Sequence, residues 1–174
     1  MKSLNVILVL FVAQLLVNCN NRTNNNPVKT SVEHYTATEE VDDVEPPPPG
    51  LTSNFKTLQD WLAAICKTEN PQQSIATFRC GLFESANEYT VFLVGENKEQ
   101  KGNNSFVRID FEPVNMYWPV PIAAHKNKSR EQIIEQLTDQ LQSFIKSDLF
   151  KKSFFTKATS ITTDFNGEIW SNRN

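Results

Sequence analysis

The side chains best suited to catalysis or metal binding are few in this sequence of 174 residues, which has two histidines and three cysteines. His34 lies in a polar and acidic stretch, and His125 lies in the basic segment AAHKNKS, with no partner at a spacing typical of a catalytic group. No cysteine–histidine pair has the spacing of a zinc site, and no phosphate-binding loop or nucleophile-elbow motif is present. We therefore predict no metal site and no cofactor.

Paired carboxylates are the remaining candidates for hydrolytic chemistry. Asp110 and Glu112 share one side of a predicted strand with Arg108, and two acids so placed can divide general acid and base roles. Alternating charges are also typical of the solvated face of a half-buried strand. We interpret these residues as surface, and a hydrolase remains the less favoured alternative.

An aromatic run offers a better candidate for recognition. In VNMYWPVP, residues 114–121, Met116, Tyr117 and Trp118 stand beside two prolines that favour an extended backbone. Methionine and aromatic side chains are enriched at the energetic centres of interfaces. The same residues could instead close one end of the core. We take Met116, Tyr117 and Trp118 as candidate partner-binding residues and leave the core alternative open.

The N-terminus has the features of a targeting segment. Lys2 precedes an apolar stretch, Leu4 to Val17, which is too short to span a bilayer and fits a secretory signal. Leu16, Val17 and Cys19 resemble the bacterial lipobox. That resemblance implies a signal peptide over residues 1–18 and a Cys19 that carries diacylglycerol and palmitate. Asn20 in place of aspartate implies anchoring at the outer rather than the inner membrane. A signal peptide cut elsewhere is the alternative.

Export and lipidation would determine which cysteines can form a disulfide. With Cys19 lipidated, Cys66 and Cys80 remain as a pair 14 residues apart. In an oxidising periplasm such a pair can form a disulfide, which would add about 3 kcal/mol in the chain-entropy model. We predict that disulfide, with two reduced core thiols as the alternative.

Composition divides the chain into three parts. Residues 1–18 are the predicted signal peptide, and residues 19–52 are an asparagine-rich, acidic and proline-rich segment with few apolar side chains, typical of a disordered tether. Residues 53–174 hold 14 basic and 14 acidic residues. A neutral domain has no basic field for nucleic acid, so we expect no nucleic-acid partner.

The periodicity of residues 53–174 predicts one small α+β domain. Helical spacing predicts a helix over 54–67 capped by Ser53 or Asn54, and a second helix from Ser129 with a Ser129–Gln132 capping box. Alternation predicts a three-strand antiparallel meander over 76–82, 89–94 and 107–111, with a polar loop over 95–104. Asn166-Gly167 predicts a C-terminal hairpin with a type I′ turn. Two or three helices would then cover one face of the sheet.

The function we expect is binding rather than catalysis. The run GLFE…EYTVFLVGE…DFEP in a compact neutral domain weakly resembles small single-domain bacterial proteins of the immunity type. That resemblance implies an inhibitor that occludes a toxin or hydrolase acting in the envelope. We expect a monomeric, lipid-anchored protein that binds a protein partner. The alternative is a surface lipoprotein that binds a glycan or another envelope component.

Overall fold

A computed structural model describes residues 39–41, 43–86 and 88–173, all of which lie in one compact unit, Thr36–Asn174. The described strands are β1 (Glu39–Val41), β2 (Thr77–Ser85), β3 (Glu88–Lys101), β4 (Asn104–Phe111), β5 (Tyr117–Pro119), β6 (Ser160–Thr163) and β7 (Gly167–Ser171). The described helices are α1 (Leu58–Thr68), α2 (Ile122–His125), α3 (Arg130–Ile145) and α4 (Asp148–Lys151), followed by a 3₁₀ turn (Phe154–Lys157).

The seven described strands form one mixed sheet, in which six follow in the order β1-β4-β3-β2-β6-β7 and β5 pairs with β3 outside this order. The long strand β3 pairs with β2 along one edge, while β4 and β5 follow each other along its other edge. The meander β2-β3-β4 and the hairpin β6-β7 are antiparallel, whereas β1 with β4 and β2 with β6 are parallel. The predicted α+β domain with a meander and a C-terminal hairpin is confirmed, and the two parallel pairings are additional to it.

The helices pack on one face of the sheet. Residues paired across strands share a face, so Phe78, Cys80 and Leu82 of β2 lie on the same side as Val91 and Leu93 of β3. Side chains of that face and of α1, α3 and α4 form the main core, whose largest fully buried members are Trp61, Trp118, Phe78, Phe155, Leu58, Leu62, Ile65, Leu93 and Leu137. The opposite face carries Arg79, Gly81 and Phe83 of β2 and their partners on β3.

Local capping chemistry sets the starts of the two long helices. In α3 the Ser129 hydroxyl accepts from the Gln132 amide at 3.3 Å and the Gln132 side chain accepts from the Ser129 amide at 2.9 Å, which confirms the predicted capping box. The predicted cap of the first helix is wrong. Thr57 caps α1 instead, because its hydroxyl accepts from the Asp60 amide at 3.0 Å.

Two predicted turns differ from the observed ones. The polar loop predicted over 95–104 is wrong, since β3 continues to Lys101 and turns at Gly102, which has a φ of 65°. The C-terminal hairpin is present, but its loop spans residues 164–166 and ends at Gly167 with a φ of 67°. Asn166 does not have the positive φ that a type I′ turn requires, so the predicted turn type is wrong.

Part of the predicted tether belongs to this folded unit. β1 adds to the sheet through parallel pairing with residues 105–107 of β4. Further along, the Glu45 carbonyl accepts a hydrogen bond from the Tyr117 hydroxyl at 2.5 Å. Residues 43–50, which we call the strap, therefore run from the edge of the sheet to β5. The predicted signal peptide and Cys19 lie outside the described residues.

Candidate partner-binding surface

Trp118, one of the three predicted contact residues, lies in the core. Its side chain is 1% exposed and stacks on Trp61, with ring centroids 6.3 Å apart and an interplanar angle of 19°. The two indoles are anchored by Nε1 hydrogen bonds, from Trp118 to the Phe55 carbonyl at 3.1 Å and from Trp61 to the Asn115 carbonyl at 2.7 Å. Trp118 is therefore a core residue, as in the alternative that the sequence left open.

Tyr117 points to the opposite face of β5. It pairs with Phe92 of β3, and its ring centroid is 6.4 Å from that of Phe83. Burial, together with the negative charges of Glu112 and Glu45, raises the pKa of the Tyr117 phenol. The hydroxyl therefore remains a hydrogen-bond donor at neutral pH, and the ring is half-buried rather than enclosed.

Met116 and Val114 lie just before Tyr117 in the chain and enlarge the apolar surface around it. Met116 is half-buried beside Tyr117, and Val114 is 88% exposed, the most exposed large hydrophobic residue among those described. The Val114 amide donates to a Glu69 carboxylate oxygen at 3.1 Å, which attaches this loop to the end of α1. We call Val114, Met116 and Tyr117 the Tyr117 surface.

An open groove runs between the strap and the Tyr117 surface. Its volume is about 990 Å³, and it is lined by Asp43, Glu45, Pro46, Pro48, Ile109, Asp110, Phe111, Glu112, Met116 and Tyr117. Four of these residues are acidic, and the others are mostly apolar. Such a groove can hold an apolar side chain with a positively charged group at its rim.

The sheet face that carries Tyr117 also has an ion network that sequence reasoning did not identify. Arg79 donates from Nε to Glu96 at 2.5 Å and from Nη1 to Asp164 at 3.2 Å, and its guanidinium lies 5.2 Å from the centroid of the Phe92 ring. Burial opposes the charge of Arg79, but hydrogen bonds and charges from both carboxylates outweigh it and raise its pKa. A Cβ at position 81 would lie 2.0 Å from the Phe92 ring, so Gly81 leaves the space that this ring occupies. Alternation along β2 is the signal that could have placed Arg79 here.

Of the candidate chemical residues, Asp110 and Glu112 line the same groove, whereas His125 does not. The Asp110 carboxylate accepts from Arg108 Nε at 2.6 Å and from Asn97 Nδ2 at 2.8 Å, and its pKa is lowered, chiefly by the Arg108 hydrogen bond. His125 lies in α2 with its ring 5.3 Å from that of Tyr89. Within the described part of the chain, no cluster of histidine, cysteine and acidic residues could hold a metal ion.

The predicted disulfide is wrong, because Cys66 and Cys80 are free thiols with different neighbours. Burial raises the pKa of Cys66, whose thiol hydrogen-bonds with Ser153. Cys80 lies on the core side of β2, where burial, and secondarily the charge of Asp164, raises its pKa to about 12. Both thiols are therefore protonated at neutral pH and behave as small core side chains.

Two properties of the chain bear on its identity, the membrane-spanning potential of its helices and its similarity to known proteins. Among the described helices, none combines the length and the apolar character needed to cross a bilayer. The chain matches no protein-family model, no curated protein and no solved structure.

Proposed function

We propose that this chain is a non-enzymatic binding protein of the bacterial cell envelope that holds a protein partner at the Tyr117 surface. The observation that carries the proposal is an apolar side chain, Val114, exposed over 88% of its area beside Met116 and Tyr117. Grouped apolar and aromatic side chains at a surface mark interaction sites more often than single ones do. The partner class is a toxin or hydrolase that the domain occludes.

The form of the surface supports binding over catalysis. The groove beside Tyr117 is open, and Asp110, its most constrained carboxylate, is held ionised by Arg108 and Asn97. A general acid needs a pKa near the working pH, and the pKa of Asp110 is shifted away from that range. Tyr117, in contrast, combines apolar ring area with a hydroxyl oxygen that can accept a hydrogen bond while its proton is donated to the Glu45 carbonyl. It also has few rotatable bonds to restrict, and these properties are typical of an interface anchor.

The proposal includes anchoring by lipid at Cys19, with the domain presented from the outer membrane. Metabolic labelling with radioactive palmitate should mark the full chain, and Cys19→Ala should abolish the label and release the protein from the membrane fraction. A labelled Cys19→Ala chain, or an unlabelled wild type, would remove the anchor from the proposal.

Partner capture tests the Tyr117 surface directly. The full chain is immobilised, exposed to envelope extract, and compared with Tyr117→Ala and Met116→Ala chains. The matched control is Ile122→Ala, because Ile122 is the other large exposed hydrophobic, at 70%, and lies outside the Tyr117 surface. We expect Tyr117→Ala to weaken capture of the same partner about 10- to 100-fold, and Ile122→Ala to leave it unchanged. Equal effects of the two substitutions would contradict the proposal.

Glycan binding is a second candidate, and the paired Tyr117 and Phe83 rings favour it because aromatic faces can stack on sugars. Sedimentation of the full chain with insoluble peptidoglycan separates the two functions. Retention that Tyr117→Ala abolishes would assign the surface to a glycan. Passage of the wild-type chain into the supernatant, together with Tyr117-dependent protein capture, would support the protein partner.

A further inference from the structure

The outer edge of β4 is covered by a short parallel strand, β1. One edge of β4 pairs with β3, and the other pairs in parallel with only three residues of this chain, Glu39–Val41. Open strand edges bind other extended chains, and proteins commonly cover them. Parallel pairing is slightly less stable per residue than antiparallel pairing, so this cover is short and easily replaced.

The charges on the two sides of this pairing are complementary. The segment from Glu39 to Glu45 contains five acidic residues and no basic one. The outer part of the β3–β4 hairpin, residues 98–108, contains Lys98 and Lys101, and its third basic residue, Arg108, is ion-paired with Glu99 and Asp110. Lys98 pairs across the ladder with Val107, which places it two strands, about 10 Å, from an occupant of the edge. That distance is about one Debye length at 0.1 M salt, so the attraction is partly screened and grows at lower salt.

A buried polar group marks the same place. Among the described side chains, the Ser105 hydroxyl is the one buried oxygen or nitrogen that has no hydrogen-bond partner. Ser105 is the register partner of Glu39, at the start of the paired segment. Because buried polar groups are nearly always satisfied, this hydroxyl favours an occupant of the edge with a polar side chain opposite Ser105.

The occupant can leave without disturbing the core. Every residue of the main buried cluster lies at or after Leu58. Between β1 and that cluster the chain passes through the prolines of the strap and Gly50, whose φ of 72° is accessible to glycine at little cost. Release of β1 therefore removes a strand pairing and keeps the packed interior.

We propose that the edge of β4 over residues 105–107 is a docking site for an extended acidic segment of a partner protein, which pairs in parallel in place of Glu39–Val41. The mode is strand addition, in which backbone hydrogen bonds supply affinity and flanking charges supply selectivity. The chain's own segment lowers the apparent affinity by the fraction of molecules in which it occupies the edge. This site consists of other residues than the Tyr117 surface, and the strap links the two through the hydrogen bond from Tyr117 to the Glu45 carbonyl.

The test uses a fluorescent peptide with the sequence TATEEVDDVE, residues 36–45, and a scrambled peptide of the same composition. Binding by fluorescence anisotropy is compared between the full chain and a release variant, Glu39→Pro with Glu40→Pro and Val41→Pro. This variant has no backbone donor left in β1, so its edge of β4 is free. We expect the release variant to bind the peptide at least about tenfold more tightly than the wild type, and to discriminate against the scrambled peptide.

Charge reversal tests the flanking lysines. Lys98→Glu with Lys101→Glu in the release variant should weaken peptide binding by about tenfold or more, and the difference should shrink at high salt. The matched control is Lys56→Glu with Lys126→Glu, which makes the same change at two exposed sites elsewhere. If the release variant proves unstable by circular dichroism, Glu40→Pro alone serves in its place.

Three results would overturn the inference. The first is equal peptide binding by the wild type and the release variant, and the second is no effect of the Lys98 and Lys101 reversals. The third is a dimeric release variant that excludes the peptide, because that result would assign the edge to a second copy of the chain. Val114→Ala distinguishes the two proposals. It should reduce capture of the partner at the Tyr117 surface while leaving the peptide's dissociation constant unchanged.

Discussion

Adjacent residues of β5 should respond to substitution in opposite ways. Trp118→Ala removes a fully buried indole that stacks on Trp61 and donates to the Phe55 carbonyl. Large-to-small substitutions of buried aromatic residues cost about 3–5 kcal/mol. For a domain of this size, 1 kcal/mol corresponds to about 4 °C in melting temperature. We therefore expect the variant to melt about 12–20 °C below the wild type.

Two further variants separate the parts of this effect. Trp118→Phe keeps an aromatic ring but loses the Nε1 donor, so we expect a loss of about 1–3 kcal/mol. Tyr117→Ala removes a half-buried ring and the hydrogen bond to the Glu45 carbonyl, and we expect a loss of only about 1 kcal/mol. Partner capture should follow the reverse order at temperatures where all variants are folded.

Urea unfolding followed by far-ultraviolet circular dichroism is the appropriate assay, because Trp118 is one of only three tryptophans and its loss alters fluorescence directly. Equal slopes with different midpoints would show a change in stability rather than in compactness. Two results would refute the assignment of Trp118 to the core. One is a Trp118→Ala chain that melts within about 4 °C of wild type, and the other is a Trp118→Ala chain that is as stable as Tyr117→Ala.

The remaining predictions concern titratable groups. Because the hydrogen bond from Arg108 lowers the pKa of Asp110 in the folded state, its carboxylate contributes stability above the unfolded-state pKa and loses the contribution as the pH falls through the folded-state pKa. Asp110→Asn should therefore cost about 1 kcal/mol at pH 7 and flatten the loss of stability below about pH 4 in acid unfolding curves. In a Cys19→Ser chain purified without reductant, a thiol reagent at pH 8 should label Cys66 slowly and Cys80 only after unfolding. Fewer than two thiols in denaturant would contradict the free state of this pair.

The parts of the fold predicted well are those whose signals are local. The Ser129 capping box depends on two side chains three residues apart, and the buried stripe of α3 repeats at helical spacing. The meander follows from alternation in β2 and from an apolar run in β3. Each of these patterns is contained within about fifteen residues, so tertiary contacts had little opportunity to override it.

The parts predicted wrongly depend on long-range pairing. Residues 97–101 of β3 are all polar, and residues 98–101 are exposed, so this end of the hairpin needs no apolar side chains. β1 is acidic and becomes a strand only because β4 offers an edge. The disulfide failed for a similar reason, since a spacing of 14 residues does not determine whether two Cα atoms come within the roughly 7 Å that a bridge requires.

The sequence alone could have limited the candidate contact residues to one of Tyr117 and Trp118. Consecutive residues of an extended segment point to opposite faces, so Tyr117 and Trp118 could not both reach the same partner. The sequence does not say which of them faces inward, because their register partners on β3, Phe92 and Val91, are both apolar. The register decides it: Val91 lies on the side of the helices, and so Trp118 stacks on Trp61 while Tyr117 meets the strap. Within the aromatic run, Trp118 therefore stabilises the domain and Tyr117 is available for recognition.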